Sequence, residues 1–168
     1  MTNSGYQQSA TTSNTNAYLA TPQSGPLYYR WVATYTSGVN AGLYLFASTG
    51  MGTERGTSYR IWQDATSVKI YENTNNVATQ RASFAATNAV GQTHTYGVFY
   101  DPVTGKLQVS RDDVSLGSWT DASPLPTGTH LALRTDRSRV SFDDVAISDI
   151  LKTMRSAGRG WPCARPAR

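Results

Sequence analysis

A chain of 168 residues, only 15% of them charged, is one domain long and can bury a core without a disulfide or metal to staple it. Its formal net charge of +4 does not make a nucleic-acid-binding face, because Lys152, Arg155, Arg159, Arg165 and Arg168 all follow the last acid, Asp149, and the body before them holds ten basic and eleven acidic residues. The single Cys163 excludes an intrachain disulfide, and no apolar run is long enough to insert into a membrane.

Ten Tyr and four Trp against two glutamates, Glu54 and Glu72, favour strands over helices. Segments 5–9 and 17–21 read as weak edge strands within an amino-terminal region, 1–27, whose polar start (MTNSGYQQSATTSN) is not a signal peptide. Strands follow at 28–36 (YYRWVATYT), 42–48 (GLYLFAS), 58–64 (SYRIWQD), 67–73 (SVKIYEN) and 77–84 (VATQRASF). Five more span 93–100 (THTYGVFY), 106–111 (KLQVSR), 114–119 (VSLGSW), 129–135 (THLALRT) and 139–148 (RVSFDDVAIS). Strand starts about 8–12 residues apart are the rhythm of a sandwich or barrel. The core unit is therefore 28–150, and 151–168 is a basic, solvated tail expected to be disordered.

Turn chemistry agrees with this reading. In Asp101-Pro102-Val103-Thr104-Gly105, Pro supplies a fixed φ and Gly a left-handed residue, so 93–100 and 106–111 form a hairpin. Asp112-Asp113 is the next hairpin turn, and Pro124-Leu125-Pro126-Thr127-Gly128 is expected to be a stiff crossover outside any strand. Alternation assigns faces: Ile61, Val68, Ile70, Leu107, Val109, Leu131 and Leu133 go to the core, and Trp31 and Trp119 join them. Arg60, Trp62 and Asp64 lie on the opposite side with Lys69 and Tyr71. Val140 and Phe142 differ in parity from Val145 and Ile147, so a β-bulge at Asp143-Asp144 is expected to bring both pairs to the core.

The ordered runs YGVFYDPVTGKLQVSRDDVSLGSWTDASPLPTGTHLALRT and VSFDDVAI resemble jelly-roll modules of the concanavalin A-like lectin/glucanase superfamily, laminin-G-like domains included. More narrowly, they are similar to modules of large bacterial Rhs/YD-repeat surface proteins. The resemblance covers about residues 28–148 and implies an all-β, antiparallel two-sheet jelly-roll sandwich. It also implies an extracellular or cell-surface location within a larger multidomain protein. Related modules begin with a Trp-bearing strand before the segment matching GYQQS, so the resemblance carries the expectation of an incomplete first edge here.

Catalysis finds little footing. Retaining glucanases place two carboxyl groups about 5–5.5 Å apart, and the superfamily's hydrolases carry them as E-x-D-x-x-E; neither Glu54 nor Glu72 sits in such a motif. Glu54, in GMGTERG, reads as a solvated loop acid. The lyase relatives use Q-[IV]-H, which Gln92-Thr93-His94 approaches in order but not in register. A binding site is easier to build. Sugars stack apolar C–H faces on aromatic rings while polar side chains take their hydroxyls. Trp62, Arg60, Asp64, Lys69 and Tyr71 supply those groups, although the same residues can instead cover a second sheet or a neighbouring domain. Asp143 and Asp144 have two readings. The resemblance implies calcium, which several relatives hold near the first and last strands and which needs six to eight oxygens. The simpler reading is a bulge whose carboxylate caps backbone N–H groups. No cofactor besides calcium is implied. The sequence thus points to a non-catalytic module that binds carbohydrate, adheres or spaces, with a glycan-active hydrolase or lyase and a purely structural domain as the rivals.

Overall fold

The computed structural model describes residues 6–9 and 11–149, so the expected tail at 151–168 lies outside the described residues. Among the described residues, twelve strands form two six-stranded sheets. One sheet orders β1 (Tyr6–Gln8), β12 (Arg139–Asp149), β3 (Leu27–Ser37), β8 (Thr93–Asp101), β9 (Lys106–Arg111) and β10 (Val114–Thr120). The other orders β2 (Asn14–Ser24), β11 (Thr127–Asp136), β4 (Ala41–Ala47), β5 (Ser58–Gln63), β6 (Ser67–Thr74) and β7 (Val77–Ala85). Every pairing is antiparallel, and the whole is a jelly-roll sandwich with no helix among the described residues. No helix among the described residues is long and apolar enough to cross a membrane.

Alternation places the core. Tyr29, Trp31, Ala33 and Tyr35 of β3, with Tyr96, Val98 and Tyr100 of β8, meet Leu43, Leu45, Tyr59, Ile61, Val68 and Ile70 of the second sheet. Leu107, Val109, Leu131 and Leu133 are buried as alternation requires, and Trp119 packs against the cluster at its margin. Five aromatics of the core cluster are tyrosines, and a buried hydroxyl must find a partner. Tyr29 donates to Gln23 Oε1 (2.7 Å), Tyr96 to Asn88 Oδ1 (2.6 Å) and Tyr100 to the Leu125 carbonyl (2.8 Å). Tyr59 donates to Asp121 Oδ2 and accepts from the Leu125 N–H. Burial pushes the Tyr96 and Tyr100 hydroxyls up to about 12, so these rings stay neutral.

The turns follow their chemistry. Asp101 accepts from Val103 N–H (2.9 Å) and Thr104 Oγ1 (2.8 Å), and Gly105, at φ +71°, could not carry a Cβ without meeting the Asp121 backbone. Asn75-Asn76 and Asp112-Asp113 both sit at positive φ, the two-residue turns that match strand twist. The Pro124 segment differs from expectation: Thr127 and Gly128 pair with Ser24 and Gln23 of β2, so β11 starts inside the supposed crossover. Pro124, Leu125 and Pro126 stay outside the ladder: the prolines lack the N–H, and the Leu125 N–H donates to the Tyr59 hydroxyl instead.

The bulge in β12 lies where parity demanded it. Asp143 pairs with Val32 and Ala146 with Arg30, leaving one extra residue between them, and Asp144 sits at φ 47°. The shift returns Ile147 to the core side with Val140 and Phe142, but Val145 remains 40% exposed. One inserted residue cannot turn both members of its own step inward.

Candidate glycan-binding face

The outward side of β4, β5 and β6 carries the polar and aromatic cluster. Strand register sets Tyr44 against Arg60 and Gly42 against Trp62, and on the other flank Tyr71 against Arg60 and Lys69 against Trp62. The Arg60 guanidinium lies over three rings, 4.2 Å from the centroid of Tyr71, 5.3 Å from Trp62 and 5.8 Å from Tyr44. Gly42 makes this possible, because a Cβ there would run into the Trp62 ring and the Ile61 carbonyl. Trp62 and Tyr71 remain half-buried, with ring surface left for a ligand.

Glu54 corrects the sequence reading of that residue as a solvated loop acid. Residues 48–57 fold back over the sheet, and Glu54 is only 9% exposed. Its Oε2 accepts from Arg60 Nη1 (2.6 Å) and the Tyr44 hydroxyl (2.7 Å), and its Oε1 from Arg134 Nη1 (3.0 Å). Arg134 arrives from β11, paired with Gly42 of β4, and also donates to Tyr44 Oη (2.7 Å) and the Thr53 carbonyl (2.9 Å). Desolvation would lower the Arg134 pKa, but Tyr44 and Glu54 outweigh it and the value is raised. The loop is pinned by Arg55, which donates to the carbonyls of Gly50 (2.7 Å) and Gly52 (3.0 Å), and by Asn76, which accepts from the N–H groups of Glu54 and Gly56.

The five residues singled out from sequence therefore share one face but divide into two groups. Arg60, Trp62 and Tyr71 stack together at its centre. Asp64 and Lys69 form an ion pair of 2.5 Å at the β5–β6 turn, where Asp64 Oδ1 also accepts from the N–H groups of Thr66 (3.0 Å) and Ser67 (2.9 Å). Partial burial alone would raise the Asp64 pKa; the hydrogen bonds from Lys69, Thr66 and Ser67 instead push it down to about 2. Tyr44 and Arg134 were legible as outward residues from the parity of GLYLFAS and LALRT. Nothing in the sequence signalled that β11 lies beside β4, or that Glu54 joins them.

Elsewhere the polar groups are local devices. Asp143 Oδ1 accepts from the Asp144 N–H (2.8 Å), and Asp144 stands 3.6 Å from Arg30. Among the described residues, no group of three or more His, Cys, Asp or Glu could hold a metal ion, so no third such residue joins Asp143 and Asp144. His94 Nδ1 lies 2.7 Å from Asp112 Oδ2, at the end of the β8–β9–β10 hairpins. A cleft of about 320 Å³ lined by Thr21, Pro22, Ser24, Leu27, Ile147 and Asp149 offers no aromatic ring.

Comparison with known proteins places the fold. No protein-family profile matches the chain, and no curated protein matches it. Solved structures do. The carbohydrate-binding module CBM66 from Bacillus subtilis superposes with a TM-score of 0.71 at 14% identity, over 88% of this chain and 92% of that one. Sheep galectin-11 gives 0.62 at 16% identity, over 79% and 96%. A protein described as a glycosyl hydrolase from Parabacteroides distasonis gives 0.58 at 12% identity, over 86% and 79%. The architecture is thus the two-sheet β-sandwich these proteins share.

Proposed function

We propose that this chain is a non-catalytic, extracellular glycan-binding module, acting as an adhesive or spacing unit of a larger bacterial surface protein. The observation that carries the reading is the Trp62–Arg60–Tyr71 stack beside the Glu54–Arg134 pair on one sheet face. Half-buried rings offer a stacking surface for a sugar's C–H face, and the surrounding guanidinium, carboxylate and phenol groups supply donors and acceptors for hydroxyls. Stiff β5 and β6 hold the rings, so little is spent ordering them on binding. The resemblance of the carboxyl-terminal half to surface-protein modules supports the location and the parent, and the lectin-like neighbours support the ligand class.

The rival, a glycan-active hydrolase, draws on the glycosyl hydrolase neighbour. The carboxylates argue against it. Glu54 spends both oxygens on Arg60, Tyr44 and Arg134, and Asp64 is held ionised, whereas a general acid needs a raised pKa. The test is a glycan array probed with the native chain and with Trp62→Ala. Binding by the native chain that the folded variant loses supports the reading. A blank array for both leaves the domain structural, and turnover of a bound polysaccharide makes it an enzyme.

A further inference from the structure

The charges on this face do not balance. Arg55, Arg60 and Arg134 lie near a single acid, Glu54, whose two oxygens are divided between Arg60 (2.6 Å) and Arg134 (3.0 Å). Arg55 reaches only backbone carbonyls, and desolvation lowers its pKa, with the nearby Arg134 acting in the same sense. The flanking pairs cancel internally: Lys69 with Asp64, and Arg137 with Asp136. Three cations against one anion leave a local excess of two positive charges, on a described body whose acids outnumber its bases by eleven to ten. A second observation agrees. The Nε–H groups of Arg55, Arg60 and Arg134 are all buried without an acceptor, so the cluster is short of acceptors as well as of negative charge. Arg60 and Arg134 keep 12% and 9% of their side chains exposed, so the excess is largely desolvated yet open at its rim to a ligand and to salt.

Resting on the glycan-binding reading above, we infer that the ligand is an anionic glycan, whose carboxylate or sulfate meets the guanidinium rim of Arg60 while a sugar ring stacks on Trp62. Guanidinium forks pair bidentately with two oxygens of such an oxyanion, and these charge-assisted bonds are about twice as strong as neutral ones. Glu54 fixes the two arginines without matching their full charge, which holds them in place in the free protein and reduces the cost of ordering them on binding. A face built for neutral sugars would need no such surplus.

The experiment titrates the full chain with matched probes: oligogalacturonate, the same oligosaccharide after carboxyl reduction, and a sulfated galactan with its desulfated form. The expected result is at least tenfold tighter binding of an acidic member than of its neutral twin at 50 mM salt, with the gap closing several-fold at 500 mM. Which acidic probe wins separates carboxylate from sulfate. Equal binding of neutral twins, lost in Trp62→Ala, overturns the anionic ligand and leaves the glycan reading standing. No binding of any probe, together with a blank array, sinks both. Arg60→Gln is expected to lose the acid preference; should it fail to fold by thermal melt, the salt titration of the native chain decides alone.

Discussion

Replacing Glu54 by glutamine keeps the side chain's shape and removes its charge, which isolates what the carboxylate does. In the native protein its oxygens accept from Tyr44 at 2.7 Å, Arg60 at 2.6 Å and Arg134 at 3.0 Å, and the three charged side chains are 9–12% exposed. The amide has one acceptor oxygen, so its NH2 must face either Arg134 or the Arg60–Tyr44 side, donor against donor. Breaking a fully buried ion pair costs about 3–5 kcal/mol; the residual exposure here reduces that to about 2–3 kcal/mol, since water still reaches the rim. For a chain of this size each kcal/mol moves Tm by about 2–4 °C, so a fall of about 5–10 °C is expected. Urea denaturation followed by tryptophan fluorescence measures the free energy directly. A loss below about 0.5 kcal/mol at unchanged m-value would return Glu54 to the class of solvated loop acids and refute the cluster.

Three further outcomes follow from named contacts. Gly42→Ala pushes a methyl against Trp62 and the Ile61 carbonyl, so a loss of about 1–3 kcal/mol is expected in the same denaturation assay, with weakened glycan binding; a neutral effect would mean Trp62 does not lie over β4. The Asp64 carboxyl sits at about 2 in the folded state and near 3.9 when unfolded, so its contribution to stability is complete above pH ~4 and is lost as pH falls from ~4 to ~2. Asp64→Asn should flatten that stretch of the stability curve, and an unchanged acid limb would show that the turn contributes nothing there. Chelation by EDTA is expected to leave Tm within about 1 °C, since Asp143 and Asp144 are engaged at a bulge; a fall of several degrees reversed by calcium would establish a metal there.

Strand positions were legible because jelly-roll strands are short, alternate strictly and end at turn residues whose chemistry is local. Ser58–Gln63 and Ser67–Thr74 could be read from one face of Ile and Val and another of Arg, Trp and Tyr, and that parity also grouped Arg60, Trp62, Lys69 and Tyr71 on one side. These two strands pair with each other as a hairpin, so their register carried over to three dimensions. The same logic could not reach Arg134, because β11 joins β4 across some eighty residues of chain, and no local signal names that neighbour. Glu54 was misread for a related reason. A loop acid between glycines looks solvated until the loop is known to fold over two arginines.

The central claim concerns where a glycan sits, and the most direct measurement is chemical-shift mapping on the 15N-labelled chain with an array-selected glycan. The account predicts a shifted Trp62 indole N–H, with perturbed backbone amides along Ser58–Gln63 and Ser67–Thr74 and an unmoved Trp31. Perturbations centred on the opposite sheet, at Tyr28 and Phe99 of β3 and β8, would contradict it.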